Sequence, residues 1–560
     1  MRSRPLASAW TGCLLLLVSA DASALQEGGP SLELDDSQTA AIDSIFSRWD
    51  NTSGAGCAVG VGTIGIGSGP LSVFERAYGM ANLEYAIANT PSTVFEGGSV
   101  SKQFTAAAIV LLALEGELSL DGDVRDHVPE LPDYGETVTI RHLLTHTSGL
   151  RDWGSVAAIS GWGRERRSHD HDWALDIMSR QTALNFSPGT QYSYSNSGYN
   201  LAAVIVARVS GRSFADFSRE RIFEPLGLGS TQWRDDYRRP VPGRSTGYRP
   251  AGGGWLINHP IEHVHGNGGI LTTVGDLIAW THALATGEGL GGAPFVEAMH
   301  ERGTLTDGSR IPYASGIVHG ELGGAASVTH TGSTAGYRAF LGRYPDHDLT
   351  VAMLCNAANA PTGGTGSAVA RVVLGGTAAN AQRATAIDMS QESLAEYSGL
   401  YRNPNTGTPK RLRVSAGVLR EGPVELVPVA EGRFSVGGGA RHYVFMPADS
   451  GRPTLVVDSW EYTDERFEPV DEWLPSAEEL AGFAGVHESD EAETVFTFSV
   501  EDGRLVLTRR PGNVTALNPV YEDAFQMPGG TLRFRRDADG EVSGLRLSVS
   551  RVFDMRFERR

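Results

Sequence analysis

Apolar residues recur along the first two thirds of the chain with two different periods. Two alternating runs, 56–63 and 71–78, flank a glycine-rich connection and predict a β-hairpin. Residues 105–114 and 200–209 are apolar over the length of a helix, and short alternating runs return between 316 and 354. Two strands, a helical middle and further strands predict one sheet closed by both ends of the domain, with helices as a second layer.

The last third of the chain has a different pattern, made of short alternating runs and turns that are typical of all-β units. The run LAEYSGLY at 394–401 is matched by LAGFAGVH at 480–487. Each copy has the size of a small β-barrel, in which closure removes exposed strand edges. We therefore expect a first domain over residues 30–375 and two small all-β barrel domains, lipocalin-like in type, over 388–474 and 476–560.

The first 24 residues have the composition of a secretory signal peptide, assigned to residues 1–24. Arg2 and Arg4 precede a short apolar run at 14–18, and Ala22-Ser23-Ala24 is a small-x-small cleavage site. The apolar run is too short to span a bilayer, and the sequence has no other apolar run of sufficient length. We predict a secreted or periplasmic protein without a stable membrane anchor.

The composition narrows the range of partners. With 47 Lys and Arg against 66 Asp and Glu, the formal net charge is −19 at pH 7. Such a charge repels phosphate backbones and anionic lipids, so nucleic-acid and membrane-surface roles are disfavoured. The charge says little about a small substrate, and the sequence leaves the oligomeric state open.

The chain has only two lysines, Lys102 and Lys410, so nearly all its cationic side chains are arginines, which cannot be deprotonated in proteins. Lys102 follows Ser99 by three residues at the start of a predicted helix, where side chains at i and i+3 share one face. A serine hydroxyl becomes a good nucleophile when a neighbour takes its proton. Burial and the positive end of a helix dipole both lower the pKa of a lysine, so we predict Ser99 as the nucleophile and Lys102 as its base.

Two distant segments carry residues suited to completing this site. On a predicted polar loop between helices, Tyr194 is suited to relaying a proton, and Asn196 to contacting Lys102 or a substrate carbonyl. The run His330-Thr331-Gly332-Ser333 lies at the end of a predicted strand and brings an imidazole to the site.

Within that third segment, Thr331 and Gly332 are expected to bind substrate, because a glycine lets a substrate backbone approach an edge strand. The N–H groups of Ser99 and Ser333 are predicted to form the oxyanion hole. Arg338, a few residues further on, is expected to bind a substrate carboxylate.

The three segments together resemble the serine β-lactamase and penicillin-binding-protein superfamily. Its nucleophile box is Ser-x-x-Lys, as at Ser99 and Lys102, and its second box is Tyr-x-Asn, as at Tyr194 and Asn196. Its third box, Lys-Thr-Gly or His-x-Gly, is matched at 330–332. The likeness covers about residues 35–360 and points to the branch of class C β-lactamases, DD-carboxypeptidases, D-aminopeptidases and esterases.

The resemblance implies an α+β fold, with an antiparallel sheet flanked by helices, a helical subdomain, and the site in the cleft between them. Two β-barrels behind such a domain are similar to the arrangement in D-aminopeptidases, where they are thought to shape substrate access. The resemblance also implies a secreted serine hydrolase that works through an acyl-enzyme on an amide, peptide or ester carbonyl. It implies no cofactor and no metal, and a small-molecule or short peptide substrate, peptidoglycan-derived peptides included.

Two alternatives stay open within this resemblance. One is a penicillin-binding or peptidoglycan-binding protein with slow turnover, and the other is a true β-lactamase. His330 stands where β-lactamases have a lysine, and a neutral imidazole anchors a carboxylate less well than a permanent cation. This departure disfavours strong β-lactam hydrolysis and keeps peptidase and esterase activity open.

Two smaller features concern cysteines and histidines. Cys57 and Cys355 both lie in strand-like runs, and the sequence is compatible with a disulfide or with two buried free thiols. A Cα separation above roughly 7 Å would exclude the bond. Three histidines and a glutamate within residues 259–265 lie in a glycine-rich loop without regular ligand spacing, so a zinc site there is disfavoured.

Overall fold

The computed structural model describes residues 34–64, 72–375, 386–436, 441–448, 451–457 and 465–560. The predicted signal peptide over residues 1–24 lies outside the described residues. Among the helices described, none is both long enough and apolar enough to cross a bilayer. The α-helices of this part of the chain are α1 (Asp36–Phe46), α2 (Ser101–Leu114), α3 (Ile140–Leu144), α4 (Trp153–Ile159), α5 (His171–Ser179), α6 (Asn196–Ser210), α7 (Phe214–Ser218), α8 (Val274–Thr286), α9 (Ala293–His300), α10 (Thr362–Leu374), α11 (Gln391–Ala395) and α12 (Ala477–Gly482).

The strands belong to an amino-terminal domain and two C-terminal β units. Those of the amino-terminal domain are β1 (Cys57–Thr63), β2 (Ser72–Tyr78), β3 (Met80–Asn82), β4 (Ile87–Ala88), β5 (Phe95–Glu96), β6 (Gln232–Trp233), β7 (Tyr248–Ala251), β8 (Gly254–Ile257), β9 (Ile270–Thr272), β10 (Val318–Leu322), β11 (Ala325–Thr334), β12 (Tyr337–Tyr344) and β13 (Leu349–Cys355). Those of the first β unit are β14 (Gly399–Arg402), β15 (Pro409–Ser415), β16 (Val418–Glu421), β17 (Val424–Ala430), β18 (Arg433–Val436), β19 (His442–Met446), β20 (Thr454–Val457) and β21 (Glu465–Val470). Those of the second are β22 (Gly485–Ser489), β23 (Thr494–Glu501), β24 (Arg504–Arg509), β25 (Asn513–Ala516), β26 (Asn518–Pro519), β27 (Ala524–Met527), β28 (Gly530–Arg536), β29 (Val542–Val549) and β30 (Val552–Arg559).

A six-stranded antiparallel sheet, in the order β10-β11-β12-β13-β1-β2, organises the amino-terminal domain. Because β1 pairs with β13, the two ends of the domain close the sheet as predicted. Ala58 packs into the core that holds α2, α6 and α8, whereas Val59 and Val61 pack into a second core with α1 and α10. Helices therefore cover both faces of the sheet, and β13 is buried along its whole length.

The central helical region agrees with the predicted pattern in outline. Residues 214–223 form the short α7, followed by a π-helical turn at Arg219–Phe223. The strands predicted between 316 and 354 are present as β10 to β13. The α+β fold expected from the sequence is thus confirmed.

Cys57 and Cys355 form a disulfide. The two residues lie directly opposite each other on β1 and β13, with Cα atoms 3.9 Å apart. This separation is well inside the limit of roughly 7 Å for bond formation. Of the two alternatives compatible with the sequence, the structure contains the disulfide.

Both C-terminal units are all-β, and each begins with the matched sequence run. In each copy a short helix, α11 or α12, is followed by a glycine at positive φ, +130° at Gly399 and +145° at Gly485, and then by a strand. Strands β14 to β21 form a closed barrel. The second unit is a nine-stranded sheet whose two edge strands, β25 and β26, are consecutive in the chain, so it is nearly closed. The predicted pair of small barrels is confirmed, while the exact domain boundaries stay predictions.

The second β unit is anchored to the helical region of the amino-terminal domain. Arg151 and Glu491 form a buried ion pair across this boundary, with Nη1 and Oε1 2.7 Å apart. Asn185 holds the turn between β29 and β30, because its Nδ2 donates to the carbonyl of Arg551 at 3.0 Å and its Oδ1 accepts from the N–H of Phe553 at 2.8 Å. A loop of this unit is thereby fixed beside the amino-terminal domain.

Candidate active site

Ser99 lies in a short 3₁₀ turn, Gly98–Val100, that leads directly into α2. The turn is pressed against β11. A Cβ on Gly98, which has φ +51°, would lie 2.7 Å from the backbone nitrogen of Ser333, and a Cβ on Gly332 would collide with the carbonyl oxygen of Gly97. Glycine is therefore required at both positions so that the nucleophile turn and the third motif can touch.

Lys102 is fully buried on the first turn of α2, beneath Ser99. Its Nζ is 3.2 Å from Ser99 Oγ, and it donates to Asn196 Oδ1 at 2.9 Å and to the carbonyl of Asn267 at 2.7 Å. These two oxygens only accept hydrogen bonds, so they use both hydrogens of a neutral amine. The nitrogen lone pair is then left to accept the proton of the Ser99 hydroxyl.

The electrostatic environment favours this neutral amine. Burial, followed by the charge of Arg551, holds the pKa of Lys102 well below 10.5, and Asp152 opposes the shift only in part. The pKa of Asp152 is itself lowered: burial opposes its ionisation, but the charge of Arg551 and the N–H groups of Asn196 and Ser155 outweigh that effect. The carboxylate thus remains ionised in a buried position.

Tyr194 lies on the loop between α5 and α6, as predicted, whereas Asn196 is the first residue of α6 and not a loop residue. The helix begins at Asn196, whose N–H donates to Asp152 Oδ2 at 2.8 Å. The ring of Tyr194 is buried, with Lys102 Nζ 4.8 Å and Arg551 Cζ 4.6 Å from its centroid. His146 supports the segment, because its carbonyl accepts from Ser193 N–H at 2.9 Å and its ring packs on Tyr194.

His330 is buried and neutral. Its Nδ1 lies 2.7 Å from the carbonyl of Thr331, which can only accept, so Nδ1 carries the hydrogen. Its Nε2 therefore accepts from the hydroxyl of Tyr313 at 3.0 Å. Burial, and then the neighbouring Lys102, lower the pKa of His330 to about 3. The imidazole acts as a fixed polar wall of the site.

The sequence interpretation of the third motif needs one correction. β11 is not an edge strand, because β10 pairs with its first half, from Ala325 to Thr329. Only residues 330–334 extend beyond β10, and Gly332 in this stretch serves close packing against Gly97. Arg338 pairs with Ser333 across β11 and β12, and its guanidinium donates to the carbonyls of Ala335 and Tyr337.

The predicted residues converge on one cavity of about 450 Å³. Lys102 lies beneath the floor and Gly332 behind the wall, while the other residues predicted for the site reach the surface of the cavity. The lining residues are Gly98, Ser99, Arg164, Tyr194, Asn196, Asn267, Gly268, His330, Thr331, Ser333, Thr334, Arg338, Ala360, Pro361, Thr362 and Arg551.

Nine of these lining residues were not predicted from the sequence, among them Asn267, Arg164 and Arg551. Asn267 belongs to the run 266–269, which the sequence marks only as glycine-rich; Gly266 has φ +96° and packs on α6. Arg164 lies between α4 and α5 and forms an ion pair with Glu262. Arg551 comes from the turn of the second β unit, and no local pattern marks it. For these three residues, the glycine-rich run around Asn267 is the one signal that the sequence contains.

The histidines of the disfavoured zinc site have other contacts. Glu262 accepts from Arg164 Nε at 2.7 Å, and His265 Nδ1 lies 2.7 Å from the carbonyl of His263. The ring of His171 is 3.3 Å from that of His265. Within the described residues, three or more His, Cys, Asp or Glu side chains nowhere come together in a way that could hold a metal ion.

Comparisons with known proteins agree with this geometry. Residues 62–376 match the family described as Beta-lactamase. The chain is 26% identical over 551 residues to a D-aminopeptidase of Gluconobacter oxydans, covering 93% of this chain and 98% of that protein. It is 29% identical over 311 residues to penicillin-binding protein 4* of Bacillus subtilis, covering 53% of this chain and 68% of that one.

A solved structure shows the same fold. The octameric penicillin-binding protein homologue from Pyrococcus abyssi superposes with a TM-score of 0.52 at 20% identity, covering 85% of this chain and 99% of that chain. With the family match spanning more than half of the sequence, the chain belongs to the beta-lactamase family and is a serine hydrolase.

Proposed function

We propose that this protein is a secreted or periplasmic amidohydrolase that cleaves amide or peptide bonds of short substrates containing D-amino acids, through an acyl-enzyme on Ser99. The observation that carries the proposal is the buried amine of Lys102, 3.2 Å from Ser99 Oγ and bonded to two neutral acceptors. The similarity to a D-aminopeptidase over nearly the whole of both chains supports the choice of substrate.

In the first step, Ser99 Oγ attacks the scissile carbonyl carbon while its proton moves to Lys102 Nζ. The carbonyl oxygen becomes an oxyanion, for which the N–H groups of Ser99 and Ser333 are the proposed donors. The proton then passes to the leaving nitrogen, with Tyr194 as the proposed relay, and the C–N bond breaks. Water hydrolyses the resulting ester and restores the Ser99 hydroxyl.

The cleft has room for a short peptide. A second cavity of about 320 Å³ continues from the first and shares Arg164, Ser333, Thr334 and Arg338 with it. A substrate that is anchored at Ser99 can extend past Arg338, where the guanidinium is the proposed partner of a substrate carboxylate. Peptides derived from peptidoglycan have the required composition.

The proposal is tested with a serine-reactive phosphonylating probe and a substrate panel. The wild type should be labelled and should hydrolyse D-amino-acid amides faster than p-nitrophenyl esters or nitrocefin. Ser99→Ala should lose both labelling and hydrolysis, while Ser92→Ala, the same change at an exposed serine of the preceding turn, should retain them. Undiminished labelling of Ser99→Ala would contradict the assignment.

A second candidate is a penicillin-binding protein with slow turnover, favoured by the similarity to penicillin-binding protein 4*. Intact-mass spectrometry separates the two candidates. A penicillin adduct that persists for hours and the absence of amide hydrolysis would favour the second candidate. An adduct that decays within the dead time, together with amide turnover, would favour the first.

Secretion remains part of the proposal and rests on the predicted signal peptide. Sequencing the amino terminus of protein recovered outside the cytoplasm should return a chain that begins near Leu25. A terminus at Met1 would overturn it.

A further inference from the structure

The turn that joins β29 and β30 brings a residue of the second β unit into the cleft. The carbonyl of Arg551 accepts from the N–H of Asp152 at 3.3 Å and from Asn185 Nδ2 at 3.0 Å. Its side chain lines the same cavity as Ser99 and Asn196. Because these two hydrogen bonds fix the backbone, the interface between the two domains determines the position of Arg551 in the cleft.

The guanidinium of Arg551 lies close to the reacting groups. Its Cζ is 4.6 Å from the centroid of the Tyr194 ring, and its charge acts on both Lys102 and Asp152. A guanidinium has five N–H donors in a planar fork, so an interaction with Asp152 leaves donors for a second acceptor. Arg551 can therefore anchor the domain and contact a ligand at the same time.

The charge of the cleft is opposite to that of the protein. The whole chain has a formal net charge of −19, yet the described residues that line the first cavity, beside Ser99, include Arg164, Arg338 and Arg551 and no carboxylate. Glu165 and Glu262 line only the second cavity. Arg164 is balanced by Glu262, whereas Arg338 donates to backbone carbonyls. A cleft lined by one sign of charge, with low-dielectric walls, focuses the field and attracts the opposite charge.

We propose that Arg551 is a specificity-determining residue and that it selects substrates bearing a carboxylate near the scissile bond. This inference rests on the proposed function and narrows its substrate class to anionic amides or peptides. The carboxylate can belong to the acyl part, as in a D-glutamyl substrate, or to the leaving part, as in a peptide with a free carboxyl terminus. In either case the fork of Arg551 pairs with the two carboxylate oxygens.

Two pairs of substrates with matched size test this selection. D-glutamic acid α-p-nitroanilide is compared with D-glutamine α-p-nitroanilide for the acyl part, and D-alanyl-glycine with D-alanyl-glycinamide for the leaving part. We expect the wild type to prefer the anionic member of at least one pair in kcat/KM. In Arg551→Met that preference should fall about tenfold or more, as expected for the loss of a hydrogen-bonded charge pair.

Control variants separate recognition from anchoring. Arg556→Met removes the same charge from an exposed position on β30 and should leave both preferences unchanged. Arg551→Lys keeps a cation but loses the planar fork of donors. Its preference for the anionic substrate should be intermediate between that of the wild type and that of Arg551→Met. If Arg551→Met is too unstable to assay, the preference of the wild type should decline as NaCl is raised, because salt screens the charge.

Several outcomes would overturn the inference. Arg551 would be only a structural anchor if Arg551→Met left both substrate preferences unchanged. The same conclusion would follow if kcat/KM fell equally for the anionic and the neutral member of a pair. Labelling of Ser99 by a phosphonylating probe tests the proposed function separately. With labelling intact and preferences unaltered, the inference alone falls; with no labelling and no hydrolysis, the proposed function and the inference fall together.

Discussion

The two lysines of the chain, Lys102 in α2 and Lys410 in the first barrel, are both largely buried and have opposite surroundings. Lys102 Nζ contacts a hydroxyl, a side-chain amide oxygen and a backbone carbonyl. Lys410 Nζ lies 3.1 Å from the carboxylate of Glu421 and 3.0 Å from the hydroxyl of Tyr443, which in turn donates to Glu421. Among the residues that the structure describes, the hydrogen-bond partners of Lys102 are all neutral, whereas Lys410 has a counter-charge.

The contrast between the two sites explains why Lys102 can act as a base. A carboxylate partner offsets part of the cost of burying an ammonium, so the ion pair of Lys410 and Glu421 serves the structure of the barrel. Where only neutral acceptors are within reach, burial is uncompensated and the amine releases its proton. Lys102 can thus act as a base both because Ser99 is beside it and because its hydrogen-bond partners among the described residues include no carboxylate.

The largest expected effect is on Lys102 itself. Lys102→Met should lower kcat/KM by about 10²–10⁴, because the general base is lost. Lys102→Arg should be equally impaired, since arginine keeps the charge and cannot accept the proton. Steady-state hydrolysis of a D-amino-acid amide measures both variants. An active Lys102→Arg enzyme would mean that charge, and not proton acceptance, is what this position supplies.

The pH dependence should follow the same logic. Since the neutral amine is the active form, kcat/KM should rise about tenfold per unit of pH up to the lowered pKa of Lys102, and reach a plateau well below 10.5. Lys102 has the lowered pKa in the folded protein and a pKa near 10.5 in the unfolded chain. Between these two values the unfolded chain binds more protons than the folded one, so the free energy of unfolding should also rise with pH there. Rate profiles and denaturant titrations test the two statements. A rate that climbs only near pH 10.5 would contradict them.

Asn196→Asp should make the Lys102 site resemble the Lys410 site. The new carboxylate, placed where Oδ1 now lies 2.9 Å from Nζ, stabilises the ammonium and should raise the pKa of Lys102. At neutral pH, kcat/KM should fall about 10–100-fold and recover partly at higher pH. Asn196→Ala is the matched control, because it removes the contact without adding charge. In the pH profile of kcat/KM for Asn196→Ala, the acid limb should not move toward higher pH.

The smallest effect on activity is expected in the barrel. Lys410→Met should leave kcat/KM within about twofold of the wild type, while destabilising the barrel by about 1–3 kcal/mol because Glu421 loses its counter-charge. The double variant Lys410→Met/Glu421→Leu should recover part of that loss. Urea denaturation followed by circular dichroism measures both. Loss of activity without loss of stability would refute the assignment of Lys410 to structure.

Much of the fold could be predicted because its determinants are local. The alternating runs produce β1, β2 and β10 to β13, and the repeated run before each β unit encodes the same helix, glycine and strand. The start of α6 was missed for a physical reason. Asn196 and its neighbours are polar, and their helical backbone is held by Asp152, a residue that sequence pattern does not connect to them.

The pairing of Ser99 with Lys102 follows from the sequence alone, because a spacing of three residues on a helix is a local geometric property. It also marked Tyr194, Asn196 and His330 as candidates through their motifs. Two features depend on the packing of the whole chain: the carbonyl of Asn267, 165 residues away, accepts from the amine of Lys102, and Arg551 reaches the cleft from another domain. Such contacts, and the burial that lowers the pKa of Lys102, exist only once distant segments pack together, so no stretch of sequence contains them.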